Sequence, residues 1–492
     1  MTTSPGAVAH RTPHQRGVAI AMTVVVLGAT VAAVVMPPKA VMAVFAALIL
    51  GAMLVQAHRD TALTIVVLLA LMALIPASLA LPELGSMGAP TTLVALAAGG
   101  LWLVTWVSPR SNVVTEVEGY RPIPILLAVW AASTTASYAV AALRAKDGLE
   151  ASAADRGMVV MLASLGIALL IAETVPTRER LDSIIRVAVL AGTFIAAIGI
   201  IQFFIGWDYA AHVSIPGLKP TGSGLSITER SIFRRVAGTT LHPIEFGVVL
   251  CLIIPLGLHL AMHHSRRWFA PVAVMGLALP MSVSRTSFVG AAAAGLVLLS
   301  LWPRQTRRRA LAVGFGYLVA VRLLVPGLLG TIRSLFTNAT KDPSITSREQ
   351  DYEFVGRFIT ENPLFGRGFF TFIPERYDYL DNQYMMTLVE TGVIGLLALL
   401  TMIVGSMVVA HKVRARTDDP VDRDLAATFM AMLAVALSTA IAFDYLSFPS
   451  VRIMLFVAIG GVGALWRLVP DRSATQPGPS AAPEPATGTA VA

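Results

Sequence analysis

Leu380-Asp381-Asn382-Gln383-Tyr384 closes a polar, aromatic-rich stretch, and Glu390-Thr391-Gly392-Val393-Ile394-Gly395 follows inside an apolar run that continues to about residue 410. Upstream, the same polar stretch contains Pro363-Leu364-Phe365-Gly366-Arg367-Gly368. A polar loop that passes directly into a long apolar helix reads as an exposed loop meeting a membrane span. Almost everything before it is uninterrupted hydrophobic segments, so the helices read as a scaffold that holds loops over a charged site at one membrane face.

Composition agrees. The chain of 492 residues is 55% hydrophobic and 13% charged, with a mean hydropathy of +0.72. Soluble domains carry about 25% charge. The predicted fold class is an all-α integral membrane protein, a polytopic helical bundle, because lipid admits only backbones that satisfy their own hydrogen bonds. A net charge of +8 would suggest nucleic acid for a soluble chain. Here it marks cytoplasmic loops, and no nucleic-acid partner is expected. Cys251 is the single cysteine, which excludes an intramolecular disulfide and a cysteine metal cluster.

The apolar runs fall at 18–36, 40–57, 61–81, 89–108, 122–143, 157–173, 184–206, 244–262, 268–283, 287–303, 310–326, 383–410, 424–446 and 451–466. They predict about 12–14 transmembrane helices. Three regions follow: a cytoplasmic tail over 1–17, a membrane domain over 18–470 and a Pro/Ala-rich C-terminal tail over 471–492 that cannot bury a core. With both termini in the cytoplasm, most Lys and Arg of the short segments lie inside, and only Lys39, Arg144, Lys146, Arg156, Arg285, Arg322 and Arg452 fall on the other side. The two long loops, 207–243 and 327–382, are then extracytoplasmic, and both are rich in arginine.

The first long loop ends Phe233-Arg234-Arg235-Val236-Ala237-Gly238, then His242-Pro243 at the entry to a span. Two readings stand for its arginines: anchoring to phospholipid headgroups, or a clamp on a lipid diphosphate, for which the planar, permanently charged guanidinium is suited. His242 reads as a structural or interfacial residue. Ser284-Arg285 separates two short apolar runs, and a charge at that depth needs a partner, water or a ligand. Glu173, Asp208 and Arg322 sit near span ends, where local pairing is the default.

In the second long loop, Thr346-Ser347-Arg348-Glu349 matches a capping box. Tyr352, Val355, Phe358 and Ile359 then predict an amphipathic helix over about 347–361 that packs its aromatic stripe on the membrane domain. Gly366-Arg367-Gly368 reads as a tight turn that brings backbone amides and Arg367 near something anionic. Asp381, at the mouth of the next span, can cap that helix or act as a general base toward a sugar hydroxyl. Asn382 supports it, and Glu390 lies deeper, placed to pair with a buried arginine.

Taken together and in order, these stretches resemble the O-antigen ligase/polymerase superfamily of bacterial membrane glycosyltransferases. The resemblance covers about residues 184–410. It rests on Arg235-x-x-Gly238 before Pro243, on Ser284-Arg285 between two short spans, on the Pro363 to Gly368 turn, and on Asp381-Asn382 leading to Glu390-x-Gly392-x-x-Gly395. Ligases of the family usually carry histidine where Asp381 stands, and Ile244 replaces an asparagine common after the loop proline. The Asp-Asn version looks more like polymerase-type members.

The resemblance implies transfer of a glycan from a polyprenyl diphosphate-linked donor to the hydroxyl of a glycan or glycolipid acceptor. The reaction would take place at the outer face of the bacterial cytoplasmic membrane, with inversion and without metal or other cofactor. Arg235, Arg285, Arg234 and Arg367 would hold the diphosphate, and Asp381 would serve the acceptor. The competing reading is a transporter or flippase for a lipid-linked or anionic solute, which would line a path through the bilayer with charge rather than gather it at one face.

Overall fold

Apolar runs of this length fold as helices because each peptide group then finds its partner within its own segment. The computed structural model describes residues 60–107, 120–143, 148–221, 228–230, 233–324, 327, 330, 354–374, 376–377 and 379–469. The expected spans 18–36 and 40–57, both tails, the capping box at Thr346 and Tyr352 lie outside the described residues.

The helices are α1 (Ala62–Leu74), α2 (Pro90–Val107), α3 (Pro122–Ala142), α4 (Gly148–Thr174), α5 (Arg178–Ile205), α6 (Pro243–His263), α7 (Phe269–Ala278), α8 (Arg285–Leu301), α9 (Arg304–Leu324), α10 (354–361), α11 (Gln383–Arg416), α12 (Pro420–Thr439) and α13 (Pro449–Leu468). Helix accounts for 79% of the structure, and the protein is an all-α integral membrane protein. Seven of the helices, α2 to α6, α11 and α13, are long and apolar enough to cross a membrane. This count covers the described residues alone, and the expected spans 18–36 and 40–57 lie outside them. α1 has 13 residues and α8 has 17, short of the ~20 a straight crossing needs. α9 gathers Arg304, Arg307, Arg308 and Arg309 in its first turns.

α6 is the hub. It packs against α5, α7, α8, α12 and α13, and 83% of its apolar window is buried. Around it, α4 lies between α2 and α13, and α11 lies between α3 and α12. Two small antiparallel ribbons interrupt the helical pattern. β1 (Leu79–Ala80) pairs with β2 (Lys219–Pro220), and β3 (Thr228–Arg230) pairs with β4 (Phe233–Arg235), with Thr228 opposite Arg235. The ribbons matter here because β4 delivers Arg234 and Arg235. Charges at the span ends pair locally: Glu173 accepts from the Trp102 indole and Arg121, and Asp208 caps the one-turn helix Tyr209–His212.

Candidate functional site

The site begins with a broken helix. α11 contains Gly392 at φ 67° and ψ −169°, a conformation open in practice only to glycine. A break there leaves helix carbonyls and amides without intrahelical partners, each costly in a low-dielectric setting. The Pro363–Gly368 loop supplies the partners. Arg367 N–H donates to Val389 O (2.8 Å) and Gly368 N–H to Glu390 O (2.9 Å). In return, Val393 N–H donates to Pro363 O (2.8 Å) and Ile394 N–H to Leu364 O (3.2 Å). Ser137 of α3 adds a hydroxyl to Glu390 O at 2.8 Å. The amides expected to face an anion are therefore spent on the helix break. This corrects the part of the reading that concerns the amides, and the physical reason is that an opened helix is the more demanding acceptor.

Arg367 is also engaged. Its guanidinium lies 2.7 Å from Glu150 of α4, whose side chain is 2% exposed. The rings of Phe358 and Tyr377 cover it at 5.3 and 4.9 Å. Tyr377 donates its hydroxyl to the same Glu150 oxygen at 2.6 Å. The anionic neighbour expected for Arg367 is thus a carboxylate of this chain, and the residue fixes the outer loop to α4. The stripe on α10 buries Val355, with Phe358 and Ile359 beside it, against Phe372, Leu380, Met386 and Val389.

At the mouth of α11 the cap is Asn382, whose Oδ1 accepts from Tyr384 N (3.0 Å) and Met385 N (3.1 Å). Capping therefore falls to Asn382 and not to Asp381. Gln383 ties this mouth to the α12–α13 turn: its N–H donates to Ala440 O (2.7 Å) and its side chain accepts from Leu446 N (2.9 Å). Asp444 lies in that turn and faces Asp381 electrostatically. Removal from water, with the charge of Asp381 added, pushes the Asp444 carboxyl up to about 7. The sequence reading missed Asp444 because it fell inside the expected span 424–446, whereas α12 ends at Thr439. Glu390 is 7% exposed, and its carboxylate accepts from Phe372 N.

The other side of the same turn meets the first outer loop. The His242 ring lies 6.2 Å from the Phe448 ring, and Glu245, in the first turn of α6, accepts from Ser450 N at 2.8 Å and Leu241 N at 2.7 Å. His242 is the N-cap of α6, its Nδ1 accepting from Ile244 N at 3.1 Å. Burial, helped by the nearby Arg235 guanidinium, lowers its pKa to about 4, so it is neutral at physiological pH. Arg235 extends from β4 to the carbonyl of Ser282 at 3.5 Å. That carbonyl belongs to the 3-10 turn Leu279–Ser282, which leads through Val283 and Ser284 into Arg285, the first residue of α8. Val283 has φ 45°, costly for a β-branched residue. Arg234, the neighbour of Arg235 on an alternating strand, packs instead on Gly206 at the C-terminus of α5.

The structure therefore brings Arg235, the turn that leads into Arg285, and His242 to one end of α6, and Asp444 of the 440–450 turn senses the charge of Asp381. Arg234 and Arg367 serve other contacts. A separate cluster, His259, His263 and Asp424, offers ligand atoms within 4.8 Å of one another near the other end of α6. The spacing there is that of hydrogen bonds, His259 Nδ1 lying 2.7 Å from Asp424 Oδ2, and Trp302 donates to the second oxygen of Asp424 at 2.8 Å.

Comparison with known families gives one result that bears on this geometry. Residues 270–400 match the model of the family described as O-antigen ligase. The match runs from α7 into α11 and includes Arg285, Arg367, Asp381 and Glu390, while Arg235 and His242 precede it and Asp444 follows it. No curated protein matches the chain.

Proposed function

From the premise that this chain, over residues 270–400, belongs to the O-antigen ligase/polymerase superfamily, we propose that it is a membrane glycosyltransferase of the polysaccharide polymerase or ligase type. It moves a glycan from a polyprenyl diphosphate-linked donor to an acceptor sugar hydroxyl at the extracytoplasmic face of the bacterial cytoplasmic membrane, with inversion. In this reading the anomeric carbon–phosphate oxygen bond breaks as the acceptor oxygen bonds the opposite face of that carbon. The acceptor proton passes to the Asp381 carboxylate, and the diphosphate leaves with the bonding pair.

Negative charge develops on the leaving diphosphate and needs fixed cations to receive it. Arg235 and Arg285 fill that role, each presenting a fork that matches phosphate oxygens. The observation that carries the reading is the reach of Arg235 to the Ser282 carbonyl, three residues before Arg285 in the chain. It supports a cationic site assembled from two segments distant in sequence. With Asn382 acting as the helix cap, Asp381 is not needed for that purpose, which favours its use on the acceptor.

The test is product formation by membranes that contain Arg285→Lys or Asp381→Asn. Both variants are expected to insert normally and to lose glycan transfer at least about 100-fold, since a lysine cannot bind bidentately and an amide cannot take the proton. Wild-type product from both would reject the assignment.

A further inference from the structure

At the end of α6 away from His242, a cleft of about 850 Å³ opens between the start of α7, the start of α9 and the α11–α12 junction. α6 has 21 residues, so its length puts roughly 30 Å between this cleft and the Arg235 cluster. Arg266, Arg309, Arg414 and Arg423 line the cleft, against Asp418 and Asp424. Asp424 is held by His259 and Trp302. Arg414 spends its N–H groups on the carbonyls of Arg423 (2.9 Å) and Leu301 (2.7 Å), and Arg423 donates to Thr417 O at 3.3 Å. Carbonyl contacts fix these guanidinium groups in place, and the four arginines outnumber the two carboxylates on the cleft wall. Arg266 and Arg309 are exposed at the rim.

The remaining wall is apolar. Leu258 and Met262 of α6 line it together with Phe269 and Val313, which are 47% and 72% exposed. α9 also carries exposed Phe315, Leu318 and Leu323 beyond its arginine-rich start. A cleft with fixed cations at one side and outward-facing apolar side chains at the other has the shape of a headgroup-and-tail ligand. Cationic pockets between membrane helices bind anionic lipid headgroups for this reason.

We propose that this cleft is a binding site for one anionic phospholipid of the surrounding bilayer. Its phosphate sits among Arg266, Arg309, Arg414 and Arg423, and its acyl chains lie along Phe269 and Val313. The site is distinct from the candidate transferase centre and does not depend on that assignment.

The experiment uses the full chain purified in detergent, with dioctanoyl-phosphatidylglycerol as probe and isothermal calorimetry as readout. Dioctanoyl-phosphatidylcholine and inorganic phosphate serve as comparison arms. One molecule of the anionic lipid is expected to bind, with both comparison ligands weaker by about tenfold or more. The Arg266→Ala/Arg309→Ala double variant is expected to weaken the anionic lipid by about tenfold, given two lost contacts to phosphate. Arg266→Lys/Arg309→Lys is expected to lose less than the alanine pair. Both positions are exposed, so equal unfolding temperatures should show that the variants remain folded. Phosphatidylcholine binding as tightly overturns the headgroup assignment, inorganic phosphate binding as tightly overturns the lipid, and an alanine pair with wild-type affinity overturns the location.

Discussion

Gly366 and Gly392 face each other across the break in α11: a Cβ built on Gly392 would overlap the Leu364 carbonyl and come within 2.7 Å of Gly366 N, and one built on Gly366 would overlap the Glu390 peptide. Both have positive φ, 69° and 67°. The two glycine motifs are therefore halves of one joint. The outer loop can dock only where the helix opens, and the helix can open only because the loop returns its hydrogen bonds.

Gly392→Ala tests the joint. The substitution forces an L residue into a conformation it rarely adopts and pushes a methyl group into the docked loop. The expected loss is on the order of 2–4 kcal/mol, seen as a lower unfolding temperature in detergent and faster proteolysis within 354–374. Unchanged stability would show that the loop is not held at this break.

Arg367 makes the second prediction. Removing one partner of a buried pair leaves the other uncompensated, at a cost of about 3–5 kcal/mol when both are fully buried. Arg367 is 24% exposed, so a loss of roughly 2 kcal/mol is expected for Arg367→Ala after discounting for solvent. Glu150→Gln should cost a similar amount, and the double variant should cost less than the sum. Additive losses in unfolding measurements would mean that the two residues act independently.

The helices and the order of the motifs were readable because apolar length and loop polarity are local properties. Arg285 stood out for the same reason, as a charge between two apolar runs. The break at Gly392 was not readable, since Glu390-Thr391-Gly392-Val393-Ile394-Gly395 has the composition of an intact span and its partner loop lies more than twenty residues upstream in the chain. Arg234 and Arg367 were grouped with Arg235 by their place in the two outer loops, which does not reveal which way a side chain turns. Strand alternation turns Arg234 away, and Glu150, far off in sequence, holds Arg367. Asp444 did carry a signal, because an ionisable residue inside an expected span is a functional candidate by default.

His242 links the site to pH. Its pKa is lowered from 6.5 to about 4 in the folded chain, so between these values the unfolded chain binds more protons. Its contribution to stability is present above about pH 6.5 and is lost as pH falls toward 4. His242→Asn keeps a good N-cap for α6 and removes the titration. Near pH 7.5 the variant should unfold within a few degrees of the wild type, while from pH 6.5 to 4.5 the wild type should lose stability faster. Parallel pH profiles for the two proteins would reject the neutral-cap role.

Asp444 gives the opposite slope. Its carboxyl titrates at about 7 in the folded chain against about 3.9 when unfolded, so over that interval the folded chain holds a proton that the unfolded chain has released. The stability that goes with it is fully present below about pH 4 and is lost as pH rises through 7. Asp444→Asn cannot ionise, so relative to wild type it should gain stability progressively from pH 4.5 to 8. Asp381→Asn removes the neighbouring negative charge and should lower the Asp444 pKa, shifting the wild-type slope to more acidic pH. Thermal unfolding of the three proteins in detergent across this range separates the cases: a slope that persists in Asp444→Asn belongs to another group, and one that Asp381→Asn leaves in place means that the two carboxylates do not sense each other.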